Sequence, residues 1–341
     1  MTLRAFLLAG LSALLLAPAP TFATEVLFDQ PVVQVVPYGK GHLFITPTRV
    51  FSQGLRHPVQ FSVPAAATAA AVQNGQVWVA TASGLYRFNP ALPDKTFPVL
   101  FSGQSLSGLA LDSSQHLWAG VTYQGAYRQE TGDSFSLKLQ IPAISSVVAA
   151  AGDTNVWIGT NVGLYRMGIH HFTTTRYAEE GYSGYELPDN IVEKLFQDAA
   201  GNVWVQMPEH LSFKKSSRSG GELPTFAFLG DRTNEVRSIQ AVGADWYLFC
   251  TQKGLSFMPA RPLEDDHVHP TTEVYSSEGL EAQALTNQQL SVPDRWAAQP
   301  VTQIFKSGTT YWFVTAAGGW SVPEKKLRKL LQRAASAKPT A

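Results

Sequence analysis

One short apolar phrase recurs seven times along this 341-residue chain, and only a repeating architecture accommodates it. The clearest copies read Val77-Trp78-Val79-Ala80-Thr81 followed by Gly84-Leu85-Tyr86-Arg87, and Val156-Trp157-Ile158-Gly159-Thr160 followed by Gly163-Leu164-Tyr165-Arg166. A third runs from Leu117-Trp118-Ala119-Gly120 to Gly125-Ala126-Tyr127-Arg128, and weaker ones begin at Leu43-Phe44-Ile45, Val203-Trp204-Val205, Tyr247-Leu248-Phe249 and Tyr311-Trp312-Phe313. Aligned on the second position they fall at residues 44, 78, 118, 157, 204, 248 and 312, in steps of 34 to 64 residues. Units of this length, each holding several short strands, are the blades of a β-propeller. The expected fold is therefore all-β: a seven-bladed β-propeller of four-stranded antiparallel blades.

The grammar of a blade is most legible in residues 189–205. Ile191 to Phe196 reads as a short innermost strand, and Asp198 to Asn202 as a turn in which Gly201 is free to take positive φ. Val203-Trp204-Val205 is then a second strand of the kind buried on both faces. Third strands follow at the Gly-Leu-Tyr elements. Fourth strands are expected at Thr96–Phe101, Phe135–Ile141, Thr175–Ala178, Thr225–Leu229 and Thr272–Ser276. One large ring at a fixed point of each second strand fills the wedge between neighbouring sheets, so the tryptophans read as core rather than as a cofactor cage. The last copy, Val301–Val322, shows three strands, and the segment Glu25-Val26-Leu27-Phe28 offers a spare one. That segment is expected to pair as the outer strand of the last blade and join the ends of the chain.

The first 23 residues read as a cleavable export signal rather than as fold. Arg4 supplies a positive start and Phe6–Ala17 a short apolar stretch. Thr21-Phe22-Ala23 then places small residues at the two positions that a cleavage site requires. Twelve apolar residues are too few for a membrane span, which needs about 20. No cysteine stands near the cleavage site to be acylated. The expected location is periplasmic or secreted, with the propeller over residues 24–323. The single cysteine, Cys250, sits in the apolar run Leu248-Phe249-Cys250 and reads as a buried, inert thiol. Net charge is zero, but residues 324–341 carry +5, which together with Arg4 leaves the body at −6. A weakly acidic body does not offer the broad basic footprint that nucleic acid requires. The basic tail carries Leu327, Leu330, Leu331 and Ala334 at helical spacing and reads as an amphipathic helix that caps the structure. Docking to a membrane surface or a partner is the alternative reading.

The pattern Asn190-Ile191-Val192 … Asp198-x-x-Gly201-Asn202-Val203-Trp204, with Val156 to Thr160 and Gly163 to Arg166, resembles the two-component regulator propeller repeat. The resemblance covers roughly residues 32–323. It implies an exported sensor propeller of the kind found in hybrid histidine kinases, where such repeats are thought to detect extracellular molecules, often saccharides. No segment here reads as the immunoglobulin-like domain, membrane helix, kinase or DNA-binding domain of the larger members. The expectation is a recognition module without its own output domain.

With blade strands lettered a to d from the inside, the d–a and b–c connections share one rim, and the a–b and c–d turns the other. Two d–a connections are long: Glu179–Asn190, with Tyr182 and Tyr185, and Ser277–Pro300, with Asp294, Arg295 and Trp296. The b–c turns of the same rim add Tyr123, Gln124, Glu209, His210, Gln252 and Lys253. Long loops on a rigid scaffold carry binding, and aromatic planes beside amide and charged groups suit a saccharide or a peptide. The candidate ligand-binding residues are Tyr123, Tyr182, Tyr185, His210, Lys253, Arg295 and Trp296. The expected partner is an extracellular small molecule or saccharide, or else a membrane signalling or envelope protein. His170-His171 and Glu264 to His269 resemble metal ligands, yet both lie in c–d turns and neither has the spacing of a closed zinc site. No metal or cofactor is expected. The sequence contains no phosphate loop and no nucleophile motif, so the leading reading is non-enzymatic recognition. Two alternatives stay open: a propeller-type hydrolase or lyase acting on an extracellular polymer through Glu209, His210 and Lys253, and an envelope scaffold.

Overall fold

Runs such as Val156-Trp157-Ile158 are apolar on both faces, so they are stable only where both faces are covered. In the structure all seven copies of the phrase become second strands of antiparallel sheets. The computed structural model describes residues 24–27, 29–92, 97–149, 154–181, 186–198, 201–208, 210–214, 225–226, 235–252, 254–260 and 301–336. Strand β1 (Thr24–Leu27) opens the described chain. The first sheet holds β2 (Gln34–Tyr38), β3 (Gly41–Ile45), β4 (Arg49–Gln53) and β5 (Gln60–Ser62). The second holds β6 (Ala67–Gln73), β7 (Gln76–Thr81) and β8 (Gly84–Phe88). The third contains β9 (Leu106–Leu111), β10 (Leu117–Val121), β11 (Gly125–Gln129) and β12 (Phe135–Gln140). In the fourth are β13 (Ile144–Ala149), β14 (Asn155–Thr160), β15 (Gly163–Gly168) and β16 (Thr174–Tyr177). The fifth is built from β17 (Lys194–Gln197), β18 (Val203–Gln206), β19 (Leu211–Lys214) and β20 (Thr225–Phe226). β21 (Val236–Val242), β22 (Trp246–Thr251) and β23 (Gly254–Pro259) make the sixth. The seventh comprises β24 (Gln303–Ser307), β25 (Thr310–Val314) and β26 (Gly318–Pro323), with β1 paired antiparallel on β26.

Innermost strands contact one another in the order β2, β6, β9, β13, β17, β21, β24, and β24 also contacts β2. Each junction between consecutive sheets is filled by its own apolar cluster, and at five of them a tryptophan of the second strand reaches across it. Trp78 packs on Leu106 and Leu117, Trp118 on Ile144 and Val156, Trp157 on Leu195 and Val203, and Trp204 on Ile239 and Phe249. Trp312 meets Phe44 edge-on at 5.2 Å, joining the seventh sheet to the first. Each such ring removes about 150–250 Å² from water, about 4–6 kcal/mol before entropy is charged against it.

Hydrogen bonds make the repeat rigid. The buried hydroxyls of Thr81, Thr160, Thr251 and Thr315 each donate to a glycine carbonyl three residues on, which closes the b–c turn. These threonines end the repeated phrase, so the turn is written into it. The glycine that follows is obligatory at Gly163: its φ is +116°, and a Cβ there would lie 2.4 Å from the Tyr177 carbonyl oxygen. On the opposite rim, buried carboxylates organise two a–b turns in the same way. Asp198 accepts the Asn202 amide at 3.0 Å and the Trp204 indole N–H at 3.0 Å. Asp112 accepts the His116 amide at 2.9 Å, the Trp118 indole at 3.0 Å and Arg128 Nε at 3.2 Å. Burial alone raises the Asp112 carboxyl, but these donors together hold it below the ordinary carboxylate range. Cys250 is buried in β22, its thiol pushed up to about 12 by burial, and Sγ donates to the Val301 carbonyl at 3.1 Å.

Two expected strands differ from those observed. The innermost strand of the fifth sheet begins at Lys194 rather than Ile191, because the Val192 amide donates to the Thr160 carbonyl of the preceding sheet. In the second sheet the fourth position is reduced to a single bridge between Leu85 and Leu100. The strand expected at Thr272–Ser276 lies outside the described residues.

Two outcomes follow from these contacts. β1 covers the edge of β26 while Asp29 and Gln30 bond to Arg49 and Thr48 of the first sheet, so this segment ties the last sheet to the first. Deleting residues 24–30 is expected to lower the melting temperature by several degrees in calorimetry; an unchanged melt would refute that role. Asp112→Asn is expected to cost about 2–4 kcal/mol at pH 7. Because the folded carboxyl titrates below its unfolded value of about 3.9, its stabilisation is complete above that value and lost as pH falls through the folded one. Urea denaturation should therefore show the gap between wild type and variant closing below pH of about 4.

Candidate functional site

Hydrogen bonds between neighbouring sheets sort the turns into two rims. On the first, b–c turns bond to d–a connections: Ala82 N to Ala66 O, Thr122 N to Ser105 O, Gly163 N to Asn190 O and Gln252 N to Glu235 O. On the opposite rim, a–b turns bond to one another, Tyr38 Oη to Gly75 O and Gln73 Nε2 to Gln115 O.

The first rim is apolar over three consecutive turns. Tyr123 in the third sheet is 80% exposed, Val162 in the fourth is 39% exposed, and Ile191, entering the fifth, is 46% exposed. Tyr123 also has a φ of +66°. Two other aromatic residues take positive φ, but Phe101 is packed on Tyr127 and Phe135, and Phe172 beneath Lys138 and Arg128. Tyr123 therefore carries conformational strain of about 1–2 kcal/mol without a ring partner among the described residues. Its neighbour Gln124 accepts the Tyr127 hydroxyl at 2.8 Å, which fixes the base of the turn.

The long connection after the fourth sheet is anchored at both ends. Glu179 N donates to Asn190 Oδ1, Asn190 Nδ2 to Glu180 Oε2, and Arg176 spans Glu180 and the Val162 carbonyl. The Asn190 amide, with help from Arg176, keeps the Glu180 carboxyl below its ordinary range. Leu187 and Val192 are buried against Trp157, so both feet of the connection stand on the rim beside Val162. Tyr182 and Tyr185, between those feet, lie outside the described residues, as do Glu209, Lys253, Arg295 and Trp296. His210 is half-buried on the same rim; its carbonyl accepts the Met207 amide, and its Nδ1 is buried without a partner among the described residues. Of the seven sequence candidates, the structure thus positions Tyr123 and His210, in the turns of the third and fifth sheets.

The opposite rim carries a feature that sequence periodicity only partly announces. Helix α1 (Glu324–Ser336) lies across the ends of the sixth and seventh sheets. Leu327 and Leu331 are buried in the cluster of Val242, Leu248, Ile304 and Val322, with Leu330 and Ala334 packed at its edge. Lys306 Nζ holds Glu324 at 3.0 Å, and Arg328 pairs with Asp245 over Gly243. Between the helix and the Asp245 and Thr309 turns lies a cavity of about 850 Å³ whose walls include Trp246, Pro323, Lys325 and Lys329. His170 and His171 are both exposed in their c–d turn, while the Glu264–His269 run lies outside the described residues. Among the described residues no three His, Cys, Asp or Glu side chains gather as metal ligands, and no helix is long and apolar enough to cross a membrane.

Compared by sequence, the chain matches no protein-family model and no curated protein. Compared by structure, it is similar to the extracellular domain of a protein described as a hybrid two-component system of B. thetaiotaomicron. The TM-score is 0.56 at 17% identity, over 86% of this chain and 38% of that one. The chain therefore spans little more than a third of that neighbour's length. It is also similar to virginiamycin B lyase from Staphylococcus aureus, with TM-score 0.60 and 11% identity over 88% of this chain and 98% of the lyase. The β-propeller domain of Cps50 (Swd1) from Myceliophteria thermophila matches with TM-score 0.58 and 10% identity over 89% of this chain and 99% of that domain. At such identities the likeness speaks for the fold alone: seven antiparallel sheets and a C-terminal helix with the architecture of a β-propeller, of the kind found in extracellular domains of two-component systems.

Proposed function

We propose that this chain is a seven-bladed propeller, closed by β1 in the last blade, that is exported and recognises an extracellular ligand in a sensing role. The ligand class is a saccharide or peptide-like molecule, or a signalling protein that presents one, and it binds on the rim formed by the b–c and d–a connections. The single observation that carries this reading is the exposed, strained Tyr123 on the rim that also exposes Val162 and Ile191. Exposed apolar side chains gathered at one place are unfavourable in water unless they bind, and strain retained in an exposed aromatic has no packing to compensate it. The anchored feet of the Glu179–Asn190 connection support the reading further, since Tyr182 and Tyr185 lie between them in the sequence. Together with Arg295 and Trp296 from the second long connection, these residues would line the mouth of the central channel. Aromatic planes there stack on sugar or peptide faces, and His210, Lys253 and Arg295 supply the polar contacts that set orientation. The fold neighbours that are extracellular domains of two-component systems agree with such a role.

A thermal-shift screen against glycans and peptides identifies the ligand, and two variants then test the site. Tyr185→Ala combined with Trp296→Ala should abolish binding while shifting the melt little. Tyr123→Gly should weaken binding about tenfold yet leave the melting temperature unchanged or raised, because glycine takes positive φ without strain. Binding that survives both changes, or a long connection that folds outward from the channel, overturns the assignment.

A further inference from the structure

We propose a second recognition surface on the opposite rim: the groove along helix α1 binds a short acidic polypeptide segment in extended conformation, with carboxylates at alternate positions. The inference does not depend on the ligand of the first rim. Lys325, Lys329 and Arg333 stand at positions i, i+4 and i+8 of α1, all exposed and none with a carboxylate partner among the described residues. Four residues of helix rise about 6 Å, so the three charges form a straight row about 12 Å long. Alternate residues of an extended peptide repeat every 6–7 Å or so, which matches that row closely. The row also borders real concavity. Lys325 and Lys329 line the cavity of about 850 Å³ beside Trp246 and Pro323. Lys329 and Gln332 continue into an adjoining hollow of about 540 Å³ with Arg333 and Ser336. Trp246 and Pro323 thus offer an uncharged side chain apolar surface within the larger cavity, beside the basic row.

The carboxylates that face the groove, Asp245 and Glu324, are already paired with Arg328 and Lys306, so they do not neutralise the row. A membrane surface fits less well. Interfacial helices bury their apolar face in lipid, whereas Leu327 is 1% and Leu331 0% exposed here, spent on the sheet ends. A long polyanion such as nucleic acid would run beyond the basic row and meet a body of net charge −6. A short acidic run on a partner protein meets neither obstacle.

The test uses the full chain and a fluorescein-labelled peptide bearing one Leu followed by Glu alternating with Ser, read by fluorescence anisotropy at low salt. Saturable binding is expected, weakening steeply as salt is raised from about 0.05 to 0.3 M, because exposed charge pairs are screened. Lys329→Glu should weaken it about tenfold or more, as should Lys325→Gln with Lys329→Gln and Arg333→Gln combined. Lys325→Arg with Lys329→Arg should preserve it, which guards against a folding defect, and unchanged circular dichroism melts serve the same end. A peptide with the same Glu residues in one block should bind more weakly than the alternating one. The proposal is overturned if the alternating peptide does not bind, or if its binding is indifferent to the triple change. Equal or tighter binding of phosphatidylglycerol vesicles or of an oligothymidylate of the same charge overturns it too.

Discussion

Apolar packing between each sheet and the next, centred on a large ring at five of the seven junctions, is the contact on which everything else in this molecule depends. The strands are two to seven residues long in the sheets that carry these junctions, and a sheet so short is marginal alone. No sheet here owns a core. Each junction cluster is assembled from two neighbours, and at five of the seven junctions Trp78, Trp118, Trp157, Trp204 or Trp312 makes one sheet conditional on the next. Small residues at the fourth place of the phrase serve the same contact. A Cβ on Gly159 would lie 2.6 Å from Val192 of the next sheet, so that position must stay bare for the sheets to approach.

With apolar burial supplying the adhesion, buried polar groups supply the geometry. Thr160 and Asp198 are both buried polar residues whose hydrogen bonds close turns within their own sheets. Each would be costly unpaired, and each satisfies backbone groups that the turns would otherwise leave open. They belong to the scaffold even though, met singly, a buried aspartate beside an arginine and a histidine resembles a catalytic group. Asp112 with Arg128 and His116 is such a case, and its indole partner Trp118 marks it as the capping carboxylate of a turn.

A scaffold stiffened this way leaves the outward-facing side chains of both rims free to specialise. The first rim concentrates apolar exposure and long connections, which suit a ligand that presents a face. The opposite rim carries, over the sixth and seventh sheets, a basic helix whose apolar side is already committed. A surface of that kind recognises charge and shape along a line. The two rims stand at opposite ends of the same short strands, separated by about 15–20 Å of rigid sheet.

How much of this the sequence determined follows from the range of the forces involved. The second strands, their turns and the positive-φ glycines are local, and the repeated phrase writes them directly: every ring from Phe44 to Trp312 sits where periodicity put it. The helix was equally legible, since the spacing of Leu327 and Leu331 names the face that is buried. Strand ends were less so. Ile191 and Val192 are as apolar as a strand requires, and only the Thr160 carbonyl of a neighbouring sheet decides that Val192 pairs elsewhere. Of the candidate site, the sequence pointed to a rim and to Tyr123 but carried no sign of that residue's strain, which depends on how the turn closes over Gln124. The groove along α1 was invisible for the same reason. It is formed by the Asp245 and Thr309 turns, which come from other sheets, and only tertiary packing brings them to the helix. Patterns of three or four residues report local geometry, whereas a concave surface is made where distant segments meet.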